Sequence, residues 1–209
     1  MTVKTKDVLI KGALGATWTA TSMALLKERI KELKEKDPNN KDDDEKFSWY
    51  TPIDLVYDEF FAKGGKGHTI MRHIGKTEKE LQQRIEGSTF LLHASTFYDP
   101  VQALIAINAG IYTANQRYLD GKIKAPLGEC SFDSTKNRIE YDSIKAWSFG
   151  RGVYKVKKDV YNYYISIPSA KVIIQKTNQE IRKKRHYYIV TSFPDLKRYK
   201  EETNTLIYE

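Results

Sequence analysis

The stretch that decides the fold class is YNYYISIPSAKVIIQK, residues 161–176. It holds two runs rich in Tyr, Ile and Val around a Pro-Ser pair, and a third such run, HYYIVTSF, follows at residues 186–193. Short runs of aromatic and β-branched residues, separated by turn or charged residues, are typical of strands in an antiparallel sheet. The first half of the chain shows helical patterns instead. The sequence therefore predicts an α+β fold in which N-terminal helices pack on a twisted antiparallel sheet.

Two of the predicted helices begin at a proline that follows a capping residue. Thr51 and Asp99 occupy the capping positions, and the proline after each of them is favoured in the first helical turn. These signals predict helices over residues 52–61 and 100–119. Residues 121–142 give only weak signals, and we predict them to be loop.

A third helix is predicted in TEKELQQRIEG, residues 77–87. Thr77 and Glu80 fit a capping box, in which the Thr side chain accepts from the N3 amide and the Glu side chain reaches back. We expect Gly87 to end this helix in a left-handed cap. Arg84 falls beside the inward-facing row of the helix, so its side chain should have a fixed position.

The segment DPNNKDDDEK, residues 37–46, is the clearest linker in the chain and marks the predicted domain boundary. We predict a helical segment over residues 1–50 and a folded domain over residues 58–199. The sequence contains a single cysteine, Cys130, so no intramolecular disulfide can form and the core alone must hold the fold.

The chain of 209 residues carries a net charge of +8, which favours binding to polyanions such as RNA, DNA or an anionic membrane. Between two predicted strands lies a basic cluster of Arg182, Lys183, Lys184 and Arg185. We expect this cluster to bind and steer phosphates. A solvated hairpin tip and a docking site for an acidic partner are the alternatives.

Residues 12–26, GALGATWTATSMALL, form the stretch nearest to a membrane span. They fall short of the roughly 18–20 apolar residues that a transmembrane helix needs, so no stable membrane insertion is predicted. A segment that meets the membrane transiently, in a membrane-active toxin, is an alternative reading.

The histidines are not arranged as in a metal site, because the sequence has no HExxH or CxxC pattern. It also lacks a P-loop, a Rossmann glycine pattern and a GxSxG elbow, so we predict neither metal nor cofactor. RNA can be cleaved without either one. A histidine that transfers protons and an arginine that neutralises charge on the phosphorane are the residue types that this reaction needs.

Five short motifs carry a resemblance to a known family. They are, in chain order, GHTIMRHIGKTEKELQQRI, ASTFYD, GRGV, AKVIIQK and YYIVTSFP. Together they resemble the RNase A-like toxin domain of bacterial contact-dependent inhibition systems, over about residues 64–194. The resemblance implies a fold like that of pancreatic ribonuclease but without its disulfides. It also implies that residues 58–199 are the toxin domain and that residues 1–50 are a pretoxin or target-cell-entering segment.

The resemblance implies a site built from distant parts of the chain. The family has a histidine followed eleven positions later by a helical arginine, and His73 and Arg84 match this spacing. His73 would be the general acid or base, Arg84 would stabilise the phosphorane, and Thr191 would bond phosphate, ribose or the histidine. His68 is the candidate for the second proton transfer.

The chain departs from the family pattern at one position of the predicted site. Where the family has a tyrosine two residues after the strand threonine, this sequence has Phe193. A phenylalanine can stack on a base but cannot donate a hydrogen bond to phosphate. Tyr187 and Tyr188 are candidates to supply the missing hydroxyl.

The implied function is a metal-independent ribonuclease toxin that cleaves RNA through the 2′-OH and leaves a 2′,3′-cyclic phosphate. Such a toxin is secreted or delivered from the cell surface as part of a larger protein and acts in the cytoplasm of the target cell. A cognate immunity protein, which would cover the basic cleft, keeps it harmless in the producing cell. The alternative is a non-catalytic RNA-binding or degenerate toxin module.

Overall fold

The computed structural model describes residues 50–61, 67–114, 116–119, 130–143, 148–181, 185–197 and 199. The predicted segment 1–50, apart from Tyr50, therefore lies outside the described residues, together with the predicted linker and the apolar stretch 12–26. None of the helices in the described ranges combines the length and the apolar character needed to span a bilayer.

The helices of the described residues lie mostly in the first half of the chain, as predicted. They are α1 (Pro52–Phe60), α2 (Thr69–His73), α3 (Glu78–Glu86), α4 (Pro100–Thr113) and α5 (Gln116–Leu119). The predicted caps of α1, α3 and α4 are all confirmed by side-chain bonds to the first helical turn. The short helix α2 was not predicted, and the helix predicted over residues 100–119 is divided into α4 and α5.

The strands form two antiparallel sheets rather than the single predicted sheet. The first sheet has the order β1 (His93–Phe97), β4 (Gly150–Lys157), β5 (Val160–Ile167). The second has the order β2 (Cys130–Asp133), β3 (Arg138–Ser143), β6 (Ala170–Lys176), β7 (Tyr187–Pro194). The mixed α+β fold is confirmed. The loop prediction for residues 121–142 is wrong for β2 and β3, which pair with each other and extend the second sheet through β6.

Helix α4 packs against the second sheet and is buried along almost its whole length. Gly110 allows this close approach, because a Cβ atom there would lie 3.0 Å from the Tyr141 ring and 3.2 Å from Val172. Helix α3 packs instead on the first sheet, where Leu81 and Ile85 join a smaller buried cluster. Each sheet therefore packs against a different helix, the first against α3 and the second against α4.

The first described residue, Tyr50, is bonded to helix α4. The Tyr50 amide donates to Asn108 Oδ1 at 2.9 Å, and Asn108 Nδ2 donates back to the Tyr50 carbonyl at 2.9 Å. Helix α1 begins two residues later, at Pro52. Tyr50 and α1 thus pack with the rest of the described fold, and the role of the residues before them stays a prediction.

Helix α2 lies where the two sheets meet. The His68 amide donates to the Val190 carbonyl of β7 at 3.1 Å, and Ile74 forms a bridge with Phe97 of β1. Gly75 follows with φ +64°, a left-handed conformation that turns the chain towards α3. The left-handed cap predicted at Gly87 is wrong, since its φ is −73°. The junction of α2, β1 and β7 positions the candidate site.

Candidate active site

His73 is the last residue of α2, and its side chain is buried. Its Nδ1 lies 3.1 Å from the carbonyl oxygen of Ser95 on β1. Because a carbonyl can only accept, Nδ1 must carry the hydrogen, and Nε2 is then the nitrogen that can take up a proton. Burial and the charge of Arg84 lower the pKa of His73 from 6.5 to about 3. The imidazole is therefore neutral at pH 7, with a fixed tautomer.

Arg84 lies on α3 and reaches back to α2. Its Nη1 donates to the Arg72 carbonyl, one residue before His73, at 3.2 Å. Burial lowers the pKa of Arg84, and the neighbouring Arg72 lowers it further. The structure thus brings together His73 and Arg84, the two residues that the eleven-residue spacing singled out.

Thr191 and Phe193 reach the same region from β7. They are two residues apart on one strand, opposite Ile173 and Lys171 of β6, and so share a face. The Phe193 ring lies 5.2 Å from the His73 ring. The Thr191 hydroxyl is buried and has no hydrogen-bond partner in the described part of the chain. A buried hydroxyl without a partner is costly, which fits a group that a ligand would complete.

His68 precedes α2 in the N-cap position and stands beside His73. The centroids of the two imidazole rings are 6.0 Å apart. His68 is more accessible than His73, being only half-buried. The two histidines therefore differ in environment, which suits different parts in a proton transfer.

The groups around His73 make a basic site. Among the described residues, the charges that lower its pKa are those of Arg84, His68 and Arg72. The cationic groups around the neutral imidazole attract an anion such as phosphate. The described residues contain no group of His, Cys, Asp and Glu side chains that could hold a metal ion.

One part of the predicted phosphate-binding cluster requires a correction. Arg182, Lys183 and Lys184 lie outside the described residues. Arg185, by contrast, is buried, and its two terminal nitrogens donate to the Asp58 carboxylate at 3.2 and 3.0 Å. The prediction that Arg185 helps to steer phosphates is therefore wrong, because its guanidinium is enclosed in an internal ion pair.

The two tyrosines expected to replace the missing phenol are also placed elsewhere. The Tyr187 ring packs against the Arg185 guanidinium at 5.3 Å. Tyr188 precedes Thr191 by three residues, which corresponds to about 10 Å along a strand. Both belong to the end of β7 that faces the buried ion pair, so neither takes the place of a hydroxyl at Phe193.

Two contributors to the site were missed from the sequence. The Ser95 carbonyl fixes the His73 tautomer, but a backbone acceptor leaves no mark on residue type, and only its place in the ASTFYD motif drew attention to it. Arg72 adds positive charge and holds Arg84 through its carbonyl. Its position directly before His73 was the available signal.

The buried neutral His73 predicts a specific loss of stability in mild acid. Its folded pKa is about 3, below the 6.5 of an unfolded chain, so the unfolded state takes up the proton first as pH falls. The stabilising effect is complete above pH 6.5 and is lost progressively towards pH 3. Between pH 7 and pH 5.5 the free energy of unfolding should fall by about 1 kcal/mol through this group. Urea unfolding of the wild type and of His73→Gln at both pH values measures this difference, and equal losses in the two proteins would refute it.

The comparisons with known proteins bear on the same segment. Residues 67–194 match the family model described as bacterial CdiA-CT RNAse A domain, a range that contains His68, His73, Arg84, Thr191 and Phe193. Among solved structures, the chain is similar to the crystal structure of a CdiA-CT/CdiI complex from Y. kristensenii 33638. The two share 26% sequence identity and a TM-score of 0.43, over 58% of this chain and 93% of that chain. No curated protein sequence matches the chain.

Proposed function

The chain belongs to the bacterial CdiA-CT RNAse A domain family, and from this premise we propose that it is a ribonuclease toxin that cleaves RNA without a metal ion. The observation that supports the proposal best is the state of His73. Its Nδ1–H bond to Ser95 leaves Nε2 as the basic nitrogen, inside a group of positively charged side chains. This combination suits removal of a proton next to a phosphate.

The proposed reaction is an internal transfer of the phosphoryl group. His73 Nε2 accepts the proton of a ribose 2′-OH while the oxygen attacks the adjacent phosphorus. The bond from phosphorus to the 5′-oxygen breaks, and His68 donates the proton that this oxygen takes up. The products are a 2′,3′-cyclic phosphate and a free 5′-OH, and neither a metal nor a cofactor takes part.

The other site residues bind the reacting phosphate in this proposal. Arg84 pairs with its non-bridging oxygens, and its carbonyl contact to Arg72 holds the guanidinium in place. The unpartnered hydroxyl of Thr191 donates to phosphate or ribose. Burial is the first cause of the low pKa of His73 and the charge of Arg84 is the second. A bound phosphate offsets the charge of Arg84 and so raises the pKa of His73 above about 3, which makes it a better base.

Phe193 supplies a flat surface next to His73 on which a base can stack, but it lacks a phenol hydroxyl. Restoring that hydroxyl by Phe193→Tyr should raise kcat by about tenfold, because it adds a hydrogen-bond donor beside the phosphorane. Steady-state cleavage of a short RNA measures the effect. Phe193→Leu is the matched control, which removes the ring and should raise KM. A tyrosine variant no faster than the wild type would show that no donor is missing at this position.

A non-catalytic RNA-binding module is the second candidate, and two observations favour it. Phe193 stands where the resemblance implies a tyrosine, and the low pKa of His73 makes the free imidazole a weak base. Incubating the pure protein with total RNA in EDTA separates the two candidates. Cleavage in EDTA supports the ribonuclease, whereas retention of intact RNA on the protein supports the module.

The proposal includes delivery and protection. We assign the chain to the C-terminal toxin region of a larger secreted or cell-surface protein, with its target RNA, such as tRNA or rRNA, in the cytoplasm of the recipient cell. A cognate immunity protein with an acidic surface would suit the basic site around His73 and Arg84. Binding of that partner should weaken in salt, as expected for contacts between exposed opposite charges.

A further inference from the structure

Helix α2, with the candidate proton-transfer residues at its two ends, is too short to be stable without contacts from the rest of the fold. It has five residues, and its N-cap residue, His68, makes no side-chain bond to the helix. A helix of one turn is unstable in isolation, and the first amides of any helix lack partners within it. Something outside α2 must therefore satisfy these amides and fix the turn.

Glu59 of α1 provides that support. Its Oε2 accepts from the Ile70 amide at 2.6 Å, and its Oε1 accepts from the Met71 amide at 2.6 Å. The Glu59 side chain is buried, so water competes little for these bonds. One carboxylate thus caps two adjacent amides of α2 from a different helix.

Helix α1 is itself fixed to the strand that carries Thr191. The neighbouring carboxylate of Asp58 accepts from the Ile189 amide of β7 at 2.8 Å. The chain also enters α2 in direct contact with α1, since a Cβ atom added at Gly67 would lie 2.9 Å from the Asp58 carbonyl oxygen and from Glu59 Cα. Two consecutive carboxylates therefore tie α2 and β7 to one helix.

We propose that Glu59 is a positioning residue for the active site, acting through α2. The turn that it caps carries His68 at its start and His73 at its end, and the Arg72 carbonyl of the same turn holds Arg84. Because α1 precedes residue 67, where the family match begins, the functional unit includes a helix outside that match. The inference rests on the proposed function for its effect on cleavage, but not for its effect on α2.

Glu59→Gln in the full chain tests the effect on cleavage. Glutamine keeps the size of the side chain but places an NH₂ group against one of two amides that need an acceptor. We expect kcat to fall at least tenfold, with KM within threefold of the wild type. Glu59→Asp keeps both carboxylate oxygens on a shorter side chain, so its kcat should lie between that of the wild type and that of Glu59→Gln. Asp99→Ala is the matched control: it removes the cap of α4, which accepts from the Gln102 amide at 3.0 Å, and should leave kcat within twofold.

Amide hydrogen exchange and histidine titration by NMR, without RNA, test the effect on α2 separately. In Glu59→Gln, exchange at Ile70 and Met71 should become at least tenfold faster, and the titration of His73 should move upward from about 3. Asp99→Ala should change neither. If the wild type cleaves no RNA but exchange and titration change in Glu59→Gln, the proposed ribonuclease function is wrong and the capping role of Glu59 stands. If exchange, titration and kcat of Glu59→Gln all match the wild type, the positioning role is overturned.

Discussion

His73→Gln should lower kcat for RNA cleavage by about a thousandfold, since it removes the group proposed to accept the 2′-OH proton. Glutamine is the sharper choice over alanine because its amide can still donate to the Ser95 carbonyl, the contact that His73 makes at 3.1 Å. The substitution therefore keeps this hydrogen bond and removes the capacity for proton transfer, together with the ring contact to Phe193. Initial rates on a fluorescent RNA oligonucleotide, with urea unfolding to confirm the fold, measure the loss.

A second histidine serves as the control for this experiment. His186 lies at the β6–β7 connection, where its carbonyl accepts from the Thr177 amide at 2.9 Å, five residues before Thr191. His186→Ala should keep kcat within twofold of the wild type. Equal losses in the two variants, or full activity of His73→Gln, would remove His73 from the reaction.

Asp58→Asn should destabilise the protein by about 3–5 kcal/mol, because it removes the nearer of two carboxylates that face the buried Arg185 guanidinium. The other carboxylate, that of Asp54, lies 4.0 Å from Arg185 Nη2. Asp58 is fully buried and accepts from Arg185, from the Ile189 amide and from the Tyr50 hydroxyl. An asparagine has one acceptor oxygen and adds donors where donors already point. Urea unfolding at pH 7 measures the change, which is a large part of the 5–15 kcal/mol typical of a folded domain.

The double variant Asp58→Leu with Arg185→Met is the informative companion. Replacing both members of a buried ion pair by apolar residues is often nearly neutral, whereas removing one member is not. We therefore expect the double variant to be more stable than either Asp58→Asn or Arg185→Met alone. If the double variant is the least stable of the three, Asp58 and Arg185 stabilise the fold by more than neutralising each other's charge.

Local signals of the sequence predicted the helices well. Thr51, Thr77 and Asp99 each cap the helix that they were expected to cap, and the bonds concerned join residues three positions apart. Such contacts depend on neighbouring residues alone and leave a pattern in the sequence. The strands in residues 161–193 were equally visible, because their runs of Tyr, Ile and Val are long and continuous.

Features that depend on distant partners were not predictable in the same way. Helix α2 gives almost no local signal, since its cap comes from Glu59, eleven positions before Ile70. Strand β2 is four residues long and is defined by its pairing with β3. Arg185 looked like part of an exposed basic cluster because its partner, Asp58, is 127 positions away. In each case a tertiary contact decides the outcome.

The candidate site combines both kinds of information. The spacing of His73 and Arg84 and the strand position of Thr191 came from the resemblance. The structure brings His73 and Arg84 together. It places Thr191 on β7 two residues before Phe193, whose ring lies 5.2 Å from the His73 ring. Neither the low pKa of His73 nor the Ser95 contact could be inferred, because burial and backbone orientation are properties of the folded chain.

The chemical nature of the ends produced from a defined RNA oligonucleotide in EDTA tests the central claim most directly. If His73, Arg84 and Thr191 act together on the 2′-OH, mass spectrometry should find a 2′,3′-cyclic phosphate on one fragment and a 5′-OH on the other. A single 2′-deoxy substitution at the cleaved position should abolish cutting there. Cleavage that persists at the 2′-deoxy position, or that leaves a 5′-phosphate, would contradict the account.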